Sequence, residues 1–267
     1  MTRPARETAN AVIEIVEVVG NDRVAAGVGL VALHAPRVAA TALPGQFVHL
    51  RIARGADFIL RRPFSVHRVE GERIELLYQV VGKGTLALAE KRRGELMDVI
   101  GPLGTGFVVP EGTAHALVVA GGLGAAPLGM LVEDLAARGV ATSVAQGAPT
   151  SERLVASGTF ERLARRVAFA TDDGSRGHAG RVTDLVPALL EEDSPSVVYA
   201  CGPSAMSAKV AALAAEAGVT CQVSLERLMA CGVGACLSCV VTTKNGSACA
   251  CCDGPVFDAS EVVWDEA

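Results

Sequence analysis

Cys231, Cys236 and Cys239 stand at C-x4-C-x2-C spacing, and Cys249, Cys251 and Cys252 crowd together a short way on. Thiolates at this spacing can hold a [2Fe-2S] cluster, which moves one electron at a time. Such a loop must wrap its cluster tightly. Gly232 and Gly234 permit positive φ and bring backbone N–H groups toward sulfur. Leu237 and Val240 beside the thiols limit water access, which tunes potential. Structural zinc ordinarily wants two C-x2-C-like pairs, and the C-x4-C-x2-C run of Cys231, Cys236 and Cys239 holds a single C-x2-C. A disulfide framework belongs to small secreted domains. On residues alone the fourth ligand stays open among Cys249, Cys251 and Cys252. A one-electron centre also needs a second group elsewhere for two-electron chemistry.

Arg62-Pro63-Phe64-Ser65 is a candidate for that group's site. An arginine can hold a pyrophosphate by charge-assisted bonds, and a nearby hydroxyl can meet a flavin ring edge near N5. In Tyr78-Gln79-Val80-Val81-Gly82-Lys83-Gly84-Thr85, the glycines let N–H groups face phosphate oxygens and Thr85 adds a hydroxyl. A third glycine group runs Gly101-Pro102-Leu103-Gly104-Thr105-Gly106-Phe107. Each alone reads equally as a turn, and Lys83 as a solvated side chain. Further on, apolar 114–120 leads through Gly121-Gly122-Leu123-Gly124 and Pro127 into a helical stretch over 128–138. Strand, glycine turn and helix make a phosphate site at a helix N-terminus. Tyr199-Ala200-Cys201-Gly202-Pro203 ends a later strand before an alanine-rich helix over 204–217, so backbone can approach a flat ligand. Cys201 reads equally as a small buried residue, and Cys221 as core. Thr171-Asp172-Asp173-Gly174-Ser175 reads on its residues as a solvated turn.

These groups need elements to carry them. From 11 to 100 short strands alternate with turn residues, which predicts an antiparallel barrel. In 46–52, Val48, Leu50 and Ile52 lie on one face and Phe47, His49 and Arg51 on the other; 28–34 and 74–81 also read as strands. After 111, apolar strands at 114–120, 140–145, 167–170 and 196–200 with helices between predict a parallel sheet. The fold class is thus multidomain: a barrel over 1–110, an α/β nucleotide-binding domain over 111–220, and a small cluster-binding module over 221–267. At 267 residues and half apolar, the chain has ample core material. A net charge of −5 with no basic run argues against nucleic acid. Residues 1–7 and Glu14 and Glu17 offer no apolar leader, and the long apolar run over 116–132 is broken by glycines and Pro127. A cytoplasmic protein without a membrane span is expected, and eight cysteines, mostly near the end, suit a reducing compartment. The histidines are scattered and suggest no metal site.

Pro44-Gly45-Gln46-Phe47, Arg62-Pro63-Phe64-Ser65, Gly82-Lys83-Gly84-Thr85 and Gly101-Pro102-Leu103-Gly104, in that order, resemble the flavin domain of the ferredoxin–NADP reductase superfamily. The cysteine loop followed by Asp253-Gly254-Pro255-Val256-Phe257 resembles the electron-transfer subunit of the NAD-linked class 1B dihydroorotate dehydrogenases, over about 12–264. The resemblance implies FAD at Arg62, Pro63, Phe64, Ser65, Leu77, Tyr78, Gln79, Gly84 and Thr85. It implies nicotinamide contact near Cys201, Gly202 and Pro203 and places the run 171–175 near the same cofactor, while Gly122 and Gly124 keep the phosphate-site reading. The family's fourth cluster cysteine lies two residues before the Asp of Asp-Gly-Pro, which is Cys251 here. Cys231, Cys236, Cys239 and Cys251 are then the ligands, and Cys249 and Cys252 are extra thiols. Residues leave NAD and NADP open: no acidic residue stands at Gln146-Gly147-Ala148 itself, and Arg153 is the lone arginine near there. The resemblance implies NAD. It also implies a partner, an FMN-containing subunit oxidising dihydroorotate to orotate in pyrimidine (UMP) synthesis, in a heterotetramer of two of each chain. Two other readings share these motifs: a reductase subunit of a hydrogenase-like or ferredoxin-linked complex, and a zinc-binding module on an inactive reductase scaffold.

Overall fold

A computed structural model describes residues 10–55 and 58–264. Residues 1–7, with their expected lack of a leader, lie outside these, as do the outer ends of the first and last expected domains. The first unit is a seven-stranded antiparallel sheet. Its strands are β1 (Val12–Ala25), β2 (Val28–His34), β3 (Phe47–Arg51), β4 (Arg62–Ser65), β5 (Arg68–Glu70), β6 (Arg73–Gln79) and β7 (Leu96–Leu103), in the order β4-β3-β7-β1-β2-β6-β5. Two short helices, α1 (Pro36–Ala39) and α2 (Lys83–Ala89), connect them. The sheet curls until the N–H of His67 donates to the Glu75 carbonyl at 2.8 Å, bringing the end of β4 against β6. The alternation predicted in β3 decides what fills this barrel. Val48 and Leu50 are fully buried among Val16, Val31, Leu33 and Leu76. On the opposite face of β3 Arg51 is exposed, but Phe47 is 2% and His49 0% exposed, because the C-terminal cysteine module covers them.

The second unit is a seven-stranded sheet in the order β11-β10-β9-β8-β12-β13-β16. It comprises β8 (His115–Gly121), β9 (Ala141–Ala148), β10 (Arg166–Thr171), β11 (His178–Ala179), β12 (Val197–Cys201), β13 (Thr220–Ser224) and, later in the chain, β16 (Val256–Asp258). All pairings are parallel except β13 with β16. Helices α3 (Ala125–Ala137), α4 (Ser157–Leu163), α5 (Val186–Asp193) and α6 (Ser204–Glu216) cover the faces. Burial on both faces explains the continuous apolar run Ala116–Ala120, every residue of which is fully buried. Helix α3 begins earlier than the pattern suggests, since Gly122–Gly124 form a single 3-10 turn leading directly into Ala125. Strand β13 runs through the expected boundary at 220/221, so the central sheet reaches Ser224 and later takes back β16.

The cysteine segment and a small hairpin, β14 (Val240–Thr243) with β15 (Gly246–Cys249), lie between β13 and β16. The segment Gly254–Val256 clamps them to the barrel. Thr105 N–H donates to Gly254 O at 2.6 Å, and Thr105 Oγ1 to Val256 O at 3.1 Å. Gly104, at φ +76°, leaves no room for a side chain: a Cβ there would lie 2.6 Å from Gly254 O. The third glycine group of the sequence is therefore the seat of the Asp-Gly-Pro-Val-Phe run. On the other side of the barrel, His67 Nδ1 bonds Ala126 O at 2.9 Å and Arg68 pairs with Glu133 at 2.9 Å, fixing α3 against it. Among the described residues, no helix is long and apolar enough to cross a membrane.

Candidate functional site

The carboxyl ends of β8, β9 and β12 open onto one cleft of about 800 Å³ between the barrel and the α/β unit. The chain leaves β8 toward β9 on one side and reaches β12 on the other, so the cleft lies where an open α/β sheet ordinarily binds ligands. Gly121, Gly122, Gly147, Ala148 and Pro203 form its backbone-rich floor, and Gln79 reaches it from the barrel. Gly124 lies below the floor. A Cβ on it would come within 2.2 Å of Cys201 O, so only glycine lets the β8–α3 turn meet the end of β12. Cys201 contributes backbone here; its thiol is buried, and burial pushes it up to about 12. Cys221, read as core, is likewise buried and pushed up to about 12. Asp172 lines the cleft, whereas Asp173 is turned into its own loop, accepting from Ser175 N at 3.0 Å and Ser175 Oγ at 2.6 Å. Arg153, Arg181, Lys209 and Glu226 also line the cleft. Arg181, Lys209 and Glu226 carried no sequence signal, because each comes from a separate loop or helix and only the tertiary fold brings them together.

The two barrel motifs meet. The Arg62 side chain passes over Gly84, where a Cβ would lie 3.1 Å from its Nε, and its Nη1 donates to Leu60 O. Arg61 plays a different part, held by Asp98 through its carbonyl at 2.8 Å and carboxylate at 2.7 Å. Pro63, Phe64 and Ser65 follow on β4, and Ser65 pairs with Phe47. Leu77 and Tyr78 are buried, and the Tyr78 hydroxyl donates to Asn21 Oδ1 at 2.8 Å. The Thr85 hydroxyl, expected to serve phosphate, stands at the start of α2, where it accepts from Val81 N at 2.9 Å and Gly82 N at 3.2 Å.

In the cysteine loop, Gly232 and Gly234 adopt φ of +73° and +77°. That winding turns N–H groups onto sulfur: Val233, Ala235 and Cys236 donate to Cys231 Sγ at 3.4, 3.3 and 3.4 Å, and Gly234 to Cys251 Sγ at 3.1 Å. Peptide dipoles aimed at sulfur favour thiolate. Hydrogen bonds from Ser238 and the Cys231 neighbourhood lower the Cys236 thiol to about 6. Burial, then Cys239, pushes the Cys251 thiol up. This donor set, with amides already directed at two sulfurs, fits an iron–sulfur cluster. Cys249, Cys252 and Asp253 form another group, their ligand atoms all within 4.8 Å of one another. Asp253 Oδ2 accepts from Cys249 N at 2.8 Å, and Cys252 Sγ backs the loop, 2.8 Å from where a Gly234 Cβ would be.

The loop rests on β3 of the barrel. A Cβ on Gly232 would lie 2.7 Å from His49 Nδ1. Burial, reinforced by Arg61 and Arg62, lowers His49 to about 4, leaving a neutral imidazole.

A barrel joined to a parallel α/β unit across a nucleotide cleft, with a thiolate loop on the barrel, defines a reductase of the ferredoxin–NADP type carrying an iron–sulfur domain. The chain belongs to the family of electron transfer subunits of dihydroorotate dehydrogenase B (NAD(+)). It is 41% identical over 237 residues to that subunit from Desulforamulus reducens, covering 86% of this chain and 90% of the relative. To the subunit from Bacillus caldolyticus it is 42% identical over 229 residues, covering 82% and 86%. A family model, the iron-sulfur cluster binding domain of dihydroorotate dehydrogenase B, matches residues 226–263. Among solved structures, a chain of an NADH-dependent reduced ferredoxin–NADP oxidoreductase superposes with TM-score 0.85 at 33% identity, covering 95% of this chain and 91% of that one. A ferredoxin NADP+ reductase from Neisseria gonorrhoeae with bound FAD and NADP shares the fold, at TM-score 0.65 and 17% identity over 77% of this chain and 92% of that one.

Proposed function

We propose that this chain is the electron-transfer subunit of an NAD-linked dihydroorotate dehydrogenase, carrying electrons from a catalytic partner through a [2Fe-2S] cluster and FAD to NAD+. The observation that carries it is the loop whose amides point at Cys231 and Cys251 while its Gly232 lies on the flavin barrel's β3. Bound FAD supplies the link between one-electron and two-electron transfer. The chain's own residues do the rest. Cys231, Cys236, Cys239 and Cys251 hold the cluster; the Gly234 amide favours Cys251 over Cys252, which backs the loop from behind. Arg62 binds the FAD pyrophosphate beside Gly84, and Ser65 faces the ring edge. Backbone at Gly122 and Pro203, over the Gly124–Cys201 contact, orients the nicotinamide. Arg153, Arg181 and Lys209 offer charge to the dinucleotide phosphates.

The partner is read as an FMN-containing subunit, two of each chain forming a heterotetramer in the cytosol, where free cysteines persist. Leu228, 90% exposed, with Val233 and Leu237, gives the loop an apolar outer surface on which such a partner can seat. Co-expression with the catalytic subunit tests this reading: a stable complex and dihydroorotate-dependent NADH formation are expected. A second reading follows from the 33% identity to the ferredoxin–NADP oxidoreductase chain, which spans nearly the whole molecule. There the electrons would serve ferredoxin rather than dihydroorotate, and NADH-dependent ferredoxin reduction without dihydroorotate activity would select it.

Arg62→Ala is expected to weaken FAD binding about ten- to a hundred-fold, the loss of one or two charge-assisted hydrogen bonds. Flavin retained per protein after gel filtration measures it, with Arg61→Ala as a contrast. Arg61 is held by Asp98, so its loss should cost stability rather than flavin.

A further inference from the structure

His49 is an anomaly of the barrel. Its neighbours on β3, Val48 and Leu50, are apolar and buried. The imidazole is fully buried, yet neither ring nitrogen has a hydrogen-bond partner among the described residues. The other four histidines each have one: His34 with Glu72 at 3.1 Å, His67 with Ala126 O at 2.9 Å, His115 with Ser143 at 3.0 Å and His178 with Asp184 at 3.3 Å. Leaving a buried polar group unpaired is costly, so native interiors rarely do so.

Its surroundings indicate the missing partner. His49 sits directly opposite Pro63 on β4 and Ile100 on β7, so the three side chains share the outer face of the sheet. Ser65, opposite Phe47, is the diagonal neighbour, and such pairs lie roughly 7–8 Å apart. On its other side the ring lies over the cluster loop, with Nδ1, Cε1 and Cγ at 2.7, 2.9 and 3.0 Å from a Cβ built on Gly232. Phe47 braces it edge-on, ring centroids 6.0 Å apart. The imidazole thus stands between the segment assigned to the flavin edge and the loop that follows Cys231.

We propose that His49 is a positioning residue for electron transfer: its buried imidazole donates a hydrogen bond to the sulfur assembly of the cluster, favouring the reduced state and fixing the cluster's distance from the flavin. The proposal rests on Cys231, Cys236, Cys239 and Cys251 holding that cluster. The reduced cluster carries one more negative charge than the oxidised one, so a donor stabilises it preferentially.

The test uses the whole protein with FAD and cluster bound. In His49→Phe, iron, sulfide and FAD are expected at wild-type content, while the electron equilibrium between cluster and flavin shifts about ten-fold toward oxidised cluster. His49→Gln keeps an N–H donor and should recover most of that shift. Wild-type protein labelled with 15N-histidine needs no variant, and its reduced cluster should show a weak nitrogen hyperfine coupling. Cluster-replete protein with no histidine coupling, or a His49→Phe protein with an unshifted equilibrium, overturns the proposal alone. Wild-type protein holding no iron or sulfide overturns the cluster assignment with it.

Discussion

Cys231→Ser will empty the chain of iron and acid-labile sulfide while NADH still reduces its FAD. Cys231 Sγ receives three backbone N–H groups, more than any other thiol of the loop. A serine oxygen cannot replace that thiolate as a soft iron ligand at neutral pH. The FAD segments and the nicotinamide cleft use other residues, so the hydride half of the relay survives. NAD+ reduction driven by the partner should fall to background. Iron and sulfide assay, with anaerobic titration of the flavin by NADH, measures both halves. A folded mutant whose FAD no longer accepts electrons from NADH would reverse the proposed order of cluster and flavin in the relay. The companion series Cys251→Ser, Cys252→Ser and Cys249→Ser should lose the cluster only in the first, because Gly234 donates to Cys251 and not to Cys252. Cluster loss in Cys252→Ser with retention in Cys251→Ser would move the fourth ligand by one residue.

Gly124→Ala should have the second largest effect, on the opposite half of the relay. The added Cβ would meet Cys201 O at 2.2 Å and Cys201 C at 2.4 Å, both backbone atoms that no rotamer change can clear. Either α3 or the end of β12 must move, and overpacking of this kind costs about 1–3 kcal/mol. The same movement displaces Gly122 and Pro203 from the cleft floor. Misplacement of about 1 Å can cost a hundred-fold in rate, so NADH reduction of FAD should slow by about that factor while cluster and FAD content stay intact. Gly158→Ala, at a helical glycine with nothing within 4 Å of an added Cβ, is the control and should be neutral or slightly stabilising. Stopped-flow reduction and thermal melting of both variants separate the kinetic effect from simple loss of stability.

What could be read from the chain was local. The β2 strand, the alternation of β3 and the α6 helix follow from the period of apolar residues, and the C-x4-C-x2-C spacing announced the thiol loop. Long-range pairings were not legible. Thr105 meets Val256 across 151 positions, so nothing local marked the Gly101–Phe107 glycines as a seat for the Asp-Gly-Pro run. The return of β16 to β13 is hidden for the same reason, with the whole cysteine module inserted between them. Thr85 shows the opposite limit: a hydroxyl near glycines suits a phosphate or a helix cap equally, and its bonds at the start of α2 carry no sequence mark that separates the two. His49 was visible as one member of an alternating face, but its burial depends on a loop nearly two hundred positions away, between Cys231 and Cys236. Cleft residues such as Arg181, Lys209 and Glu226 come from three separate segments and have no shared spacing to detect.

Electrons from dihydroorotate should cross this chain to NAD+. The direct measurement is anaerobic: the complex with its catalytic partner, supplied with dihydroorotate and NAD+, should form NADH and orotate in equal amounts, and should stop when Cys231 is serine. A complex replete in FAD, iron and sulfide that forms no NADH from dihydroorotate, yet passes electrons between NADH and ferredoxin, would contradict the account.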